Sequence, residues 1–142
     1  METREGGARA WRLDADGGRL VDLGAVQGLR GKQVTALAID AEGKLWAGVF
    51  SGTYEGSLYR YDLLDPKPLS EQDPDVVALP FGVLSMAVSC ETSLVACGTA
   101  GGTAELVSME LCTHLASWDV NQLCSGEVPA VPAPAPSLSS AA

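Results

Sequence analysis

The second half of the chain contains no lysine or arginine. All nine Lys and Arg lie at or before Lys67, whereas eight acids follow it, so the net charge of −9 is unevenly placed. Nucleic-acid binding rests largely on Lys and Arg side chains that displace counterions from phosphates. The composition therefore argues against DNA or RNA as a partner. It fits either a basic protein partner or a solvated acidic surface that maintains solubility.

Long apolar runs and a signal sequence are also missing. No stretch of the 142 residues approaches the run of about 18 apolar residues that a membrane-spanning helix needs. The first residues, Met1–Glu5, are too acidic for a secretory signal. We therefore expect no membrane contact and a cytoplasmic location, with the nucleus as the alternative.

Residue types that bind metals or catalyse reactions are scarce. His114 is the only histidine, Asn121 is the only asparagine, and the four cysteines form no Cys-x-x-Cys pair. A structural zinc site usually takes two ligands from one tight turn, and a nucleophile needs an oriented base and an oxyanion site. The sequence therefore predicts no cofactor, no metal and no enzymatic activity, with His114 in a structural role.

The dominant local pattern is that of β-strands. Short runs rich in β-branched and aromatic residues are bounded by Gly, Asp and Pro, as in Val34–Asp40 and Val83–Ser89. Sixteen glycines break most windows of helical spacing. Only Glu110–Leu123 fits a short amphipathic helix, and we interpret its first part as a strand. The predicted fold class is all-β.

A longer pattern repeats along the chain. An apolar strand, a turn, a second strand, a glycine turn and a third strand occur in residues 34–63 and again in residues 83–109. A candidate fourth strand follows each copy, at Val76–Leu79 and His114–Trp118, and residues 6–23 supply a third and a fourth strand only. Four antiparallel strands that repeat every 40–50 residues are typical of a β-propeller blade.

The third strands carry a family resemblance. Gly56–Leu63 resembles the Gly-Thr-Val-Arg-Leu-Trp-Asp-Leu type strand of the WD-repeat family, with Asp62 matching its aspartate. The aromatic position of this strand is filled in the three copies by Trp11, Tyr61 and Val107. The resemblance covers residues 6 to about 120. It implies a propeller that acts as a non-catalytic scaffold for protein–protein interaction.

Two other propeller families are similar over Val34–Gly48 and Gly56–Asp62. They are the sensor propellers of two-component regulators and the gluconolactonase/regucalcin group of metal-dependent lactonases. The lactonase resemblance implies a divalent cation held by a Glu, an Asn and an Asp from different blades, whereas this chain has one asparagine, Asn121. A small-ligand or metal-binding sensor or lactonase-like propeller is therefore the alternative function.

The repeat sets the expected domain organisation. Residues 6–124 are predicted to form a WD-repeat-like partial β-propeller of about two and a half four-stranded antiparallel blades. Residues 125–142, rich in Pro, Ala and Ser, are predicted to be a disordered tail. Because closed propellers have about four blades or more, we expect a fragment of a larger propeller or an assembling subunit. Self-association through exposed blade faces is a further expectation.

Two loops supply the candidate partner-binding residues. Tyr54 lies in a glycine loop, which makes it the aromatic residue most expected to be exposed, and Glu55 is beside it. Asp73 and Asp75 lie in the Pro-flanked loop 65–75, which is the longest excursion from the repeat. The remaining large aromatic residues are expected to pack between blades: Trp11, Trp46, Tyr59, Tyr61 and Trp118.

Overall fold

Ten β-strands make up most of the structure, a computed structural model that describes residues 6–14 and 16–120. They are β1 (Arg9–Asp14), β2 (Arg19–Ala25), β3 (Gln33–Ile39), β4 (Lys44–Gly52), β5 (Glu55–Asp62), β6 (Asp75–Leu79), β7 (Val83–Ser89), β8 (Leu94–Thr99), β9 (Thr103–Ser108) and β10 (Thr113–Asp119). Each strand overlaps one that the sequence predicts, so the all-β prediction is confirmed. The predicted tail, 125–142, and the last repeat residues, 121–124, lie outside the described residues.

The strands form three antiparallel sheets in chain order. The head sheet contains β1 and β2, the middle sheet contains β3–β6, and the end sheet contains β7–β10. The middle and end sheets share one register, because Gly48 pairs with Leu58 in the first and Gly98 pairs with Ala104 in the second. Within the part of the chain that is described, no helix is long and apolar enough to cross a membrane.

Two apolar clusters join the sheets face to face. Ala8, Val26 and Leu29 from the head-sheet side pack with the middle-sheet residues Ala47, Val49 and Tyr61. On the other face of the middle sheet, Trp46 and Leu58 pack with the end-sheet residues Val95, Cys97 and Val107. Because successive side chains of a strand point to opposite faces, β4 and β5 bury residues on both sides of the middle sheet.

A buried carboxylate closes the first hairpin of the middle sheet. Asp40 Oδ1 accepts hydrogen bonds from the backbone N–H groups of Glu42 and Lys44, at 2.9 and 3.0 Å. Asp40 Oδ2 accepts one from Trp46 Nε1 at 3.0 Å, and both side chains are buried. Asp40 therefore ties the turn to the largest side chain of the core.

Two aromatic residues depart from their predicted place: Trp11, and Trp118, which pairs with Ala104 on the face of the end sheet that no other described sheet covers. Trp46 and Tyr61 are buried between sheets as expected, but Trp11 is 42% exposed. Trp11 follows Ala10, which packs against the middle sheet, so its side chain lies on the opposite, outer face of the head sheet. No other described sheet covers that face.

Candidate partner-binding site

The four predicted binding residues lie at opposite ends of the middle sheet. Tyr54 and Glu55 lie where β5 begins, whereas Asp75 pairs with Arg60 near the end of that strand, and Asp73 lies two residues before Asp75. Arg60 comes five residues after Glu55, and a strand rises about 3.3 Å per residue, so the two groups are roughly 17 Å apart. The structure brings together each pair but not all four residues.

The first group is an exposed aromatic tip on the β4–β5 hairpin. Tyr54 is 81% exposed, and the centroid of its ring lies 6.0 Å from that of Phe81 in a tilted arrangement. Phe81 itself leaves no room for a side chain at Gly101, where a Cβ would lie 2.3 Å from its ring. The exposed Tyr54 ring therefore lies beside a closely packed phenylalanine.

The second group belongs to an open charged cleft of about 390 Å³ at the other end of the middle sheet. Its wall is formed by the end of β5, the β5–β6 loop and the start of β6. Four aspartates line it: Asp62, Asp65, Asp73 and Asp75. Three bases line it as well: Lys44, Arg60 and Lys67.

One buried glutamine holds the loop that forms this cleft. Gln72 is 8% exposed, and its Oε1 accepts a hydrogen bond from the backbone N–H of Asp62 at 2.9 Å. Its Nε2 donates to the carbonyl oxygens of Asp62 and Lys67, at 2.7 and 2.8 Å. The sequence did not indicate this anchor, because a single Gln within a polar segment carries no pattern.

Replacing Gln72 with Ala should loosen the loop without unfolding the sheets. Three hydrogen bonds to backbone groups are lost, and each contributes about 0.5–1.5 kcal/mol. We expect amide hydrogen exchange in residues 63–74 to become at least about tenfold faster, while exchange in β4 and β5 stays unchanged. Gln33→Ala, at an exposed position of β3, is the matched control. Equal protection of the loop in both variants would contradict the role of Gln72.

Arg60 neutralises one of the predicted binding residues. Its Nη2 lies 2.7 Å from Asp75 Oδ2, and its Nη1 donates to the Met109 carbonyl oxygen at 2.6 Å. The guanidinium also lies over the Trp46 ring, 5.6 Å from its centroid. Arg60 thus links the middle sheet to the end-sheet side through Met109. Because Asp75 is the counter-ion of Arg60, its charge is already compensated within the protein.

The other aspartates of the cleft differ in how far they are compensated. The backbone N–H of Leu64, and then Lys44 at 3.1 Å, hold the pKa of Asp62 below its usual range. Asp73 accepts a hydrogen bond from the neutral amide of Gln27 at 2.9 Å, and Asp65 accepts one from the backbone N–H of Lys67. Asp65 and Asp73 are exposed, and within the described part of the chain neither forms an ion pair with a base. The sequence predicted Asp73 and missed Asp65.

A buried polar cluster lies on the inner face of the end sheet. Glu105 has no exposed surface, and its carboxylate accepts hydrogen bonds from the hydroxyls of Thr103 and Ser117, the latter at 2.7 Å. His114 Nε2 lies 2.8 Å from Glu105 Oε1. Ser117 therefore bonds to the carboxylate and not to His114, which is not the geometry of a nucleophile and its base.

The neighbouring thiol is buried and unreactive. Cys97 pairs with Glu105 across β8 and β9. Burial, and to a smaller extent the charge of Glu105, raises the pKa of the Cys97 thiol to about 12. Because the thiolate is the nucleophilic form, Cys97 acts as a small apolar side chain of the core.

A scan of protein-family models and a search of the curated proteins found no match to this chain. Among residues 6–14 and 16–120, no group of three or more His, Cys, Asp or Glu side chains is arranged to hold a metal ion.

Proposed function

We propose that this protein is a non-catalytic scaffold for protein–protein interaction, and that its three sheets are blades of a WD-repeat-type β-propeller segment. The stacking of antiparallel sheets in chain order supports the blades, as does the third strand Gly56–Leu63 with its resemblance to the WD-repeat family. Tyr61 and Val107 hold the same position in this strand, and each packs against the preceding sheet. The side chains of these sheets thus follow a repeated pattern, as those of successive blades do.

The cleft carries the binding part of the proposal. Three hydrogen bonds of the buried Gln72 amide hold the β5–β6 loop in place. Asp65 and Asp73 therefore present exposed carboxylates on an ordered backbone. Such a site fits an extended basic segment of a partner, since ordered acidic groups lose little freedom on binding. Tyr54 and Glu55 are too distant to contact the same short segment. They would join the interface only when the partner is a folded protein.

A basic peptide should bind at the cleft in a salt-dependent way. The probe is a dye-labelled peptide of alternating Lys and Ser, and its affinity is measured by fluorescence anisotropy. We expect the Asp65→Asn/Asp73→Asn double variant to bind about fivefold more weakly, because exposed ion pairs contribute modestly to binding. Raising the salt concentration should weaken binding by the parent chain more than binding by the variant.

Two controls make this experiment decisive. Glu110→Gln removes an exposed acid from the turn between β9 and β10 and should leave the affinity unchanged. The same peptide with Glu in place of Lys should not bind. Equal loss in Glu110→Gln would mean that only net charge attracts the peptide.

A rise in melting temperature on adding calcium ions, or turnover of a lactone, would replace the scaffold by the small-ligand or lactonase-like alternative.

A further inference from the structure

The head, middle and end sheets pack face to face in this order, so the head sheet and the end sheet each have one outer face. The two outer faces differ in which side chains they present. Tyr61 of the middle sheet packs toward the head sheet, and Val107 of the end sheet packs toward the middle sheet. Trp11 holds the equivalent position in the head sheet, so its side chain points to where a preceding sheet would lie. The outer face of the head sheet is therefore of the kind that packs on another sheet.

That face is apolar and open. Trp11, Leu13 and Leu20 are 42%, 67% and 66% exposed, and Leu13 pairs directly with Leu20 across the two strands. The ion pair between Arg9 and Asp22, at 2.6 Å, lies beside them. Contiguous exposed apolar side chains with a polar border are typical of interaction surfaces.

The outer face of the end sheet corresponds to the face of the middle sheet on which the end sheet packs. One row of side chains crosses its four strands in register: Ala87, Ala96, Leu106 and Ala116. The corresponding row of the middle sheet contains Trp46, which the end sheet itself covers. In the end sheet, Leu106 and Ala116 are buried, whereas Ala87 and Ala96 are exposed. The open part of this face is therefore the β7–β8 half.

The two open faces also lie on segments of opposite charge. Residues 6–33 contain five Lys or Arg and three acids, whereas residues 83–120 contain three exposed acids, the buried Glu105, and no Lys or Arg. Opposite charges favour contact between the head sheet of one copy and the end sheet of another. The same charges disfavour contact between two head sheets or between two end sheets.

We propose that a second copy of this chain docks the outer face of its head sheet on the outer face of the end sheet, repeating the stacking seen within one chain. Two copies bring together six sheets, because each contributes three. Four of these sheets have the four strands of a propeller blade and two are two-stranded half-blades, so a ring of four full blades and two half-blades with two equal head-to-end contacts is the expected assembly. This inference rests on the blade part of the proposed function and not on the cleft.

The solution mass of the full chain tests the contact. Light scattering after size exclusion should give twice the chain mass of 14.7 kDa. Leu13→Asp and Ala96→Lys each place a charge at one of the two faces and should both give the single-chain mass. Leu111→Asp changes a leucine that is 71% exposed in the β9–β10 turn, away from both faces, and should remain a dimer.

Mixing the two interface variants distinguishes the possible arrangements. An equimolar mixture of Leu13→Asp and Ala96→Lys retains one intact head-to-end contact, so a dimer should return at higher concentration. If Ala96→Lys alone stays dimeric, the contact joins two head sheets, and if Leu13→Asp alone stays dimeric, it joins two end sheets. Either result overturns the proposal.

Two further outcomes show whether another segment of the same chain covers the end-sheet face and whether dimer formation is independent of the charged cleft. A parent chain with the single-chain mass overturns the proposal. If Ala96→Lys then also lowers the melting temperature, another segment of the same chain covers the face. The Asp65→Asn/Asp73→Asn variant should remain a dimer even where it loses the basic peptide, so failure of the cleft and failure of the contact are observed separately.

Discussion

Replacing Glu105 with Ala is expected to lower the free energy of unfolding by about 4 kcal/mol, because two hydroxyl donors lose a buried acceptor and a cavity remains. The hydroxyls of Thr103 and Ser117 lose their acceptor inside the structure, and His114 loses its partner. A void of nearly the whole side chain also remains. Urea unfolding followed by tryptophan fluorescence, at one fixed protein concentration, measures the change.

Two companion variants show whether the loss comes from the buried network. Glu105→Gln keeps one acceptor oxygen and the side-chain volume, so its loss should be smaller than that of Glu105→Ala. Glu110→Ala removes an exposed acid from the turn between β9 and β10 and should leave stability nearly unchanged. If Glu105→Ala is as stable as Glu110→Ala, the carboxylate does not hold the end sheet together.

Replacing Asp40 with Ala is expected to lower the free energy of unfolding by about 3 kcal/mol. Two backbone N–H groups of the turn and the indole N–H of the fully buried Trp46 lose their acceptor. Exposed N–H groups of the turn regain water, but the indole does not, so most of the loss lies in the core. Urea unfolding of the full chain measures it, with Glu42→Ala in the same turn as the matched control.

A double-mutant cycle isolates the contact between carboxylate and indole. Trp46→Phe keeps a large aromatic side chain but removes the donor to Asp40 Oδ2. With Asp40→Ala, Trp46→Phe and the double variant, we expect a coupling energy of about 1–2 kcal/mol. Additive losses would show that Asp40 acts only on the turn and that its bond to Trp46 contributes nothing.

The strands and their repeat could be predicted because their signals are local. Alternating apolar residues bounded by glycine turns indicate strands wherever they fold, and the repeated strand at Tyr61 and Val107 fixed which strands correspond. Trp11 could not be placed this way. Its position in the strand is the same as that of Tyr61, but its exposure depends on whether another sheet covers the head sheet, which no local pattern records.

The candidate site could be predicted only in part, for a related reason. Loop composition pointed to Asp73 and Asp75, and a glycine turn pointed to Tyr54. That Arg60 compensates Asp75 follows from the pairing of β5 with β6, and its bond to Met109 follows from the stacking of two sheets. Both are contacts between residues distant in the chain. The sequence shows the charges but not which of them are already paired.

The burial of β4 on both sides has a consequence for how the chain unfolds. This strand packs Trp46 against the end sheet and Ala47 and Val49 against the head-sheet side. Separating either neighbour would expose one half of its apolar side chains to water, so neither interface is expected to open at low energetic cost while the other persists. Loss of structure should therefore be cooperative across all three sheets, with the central strands as the last to exchange their amide protons with solvent.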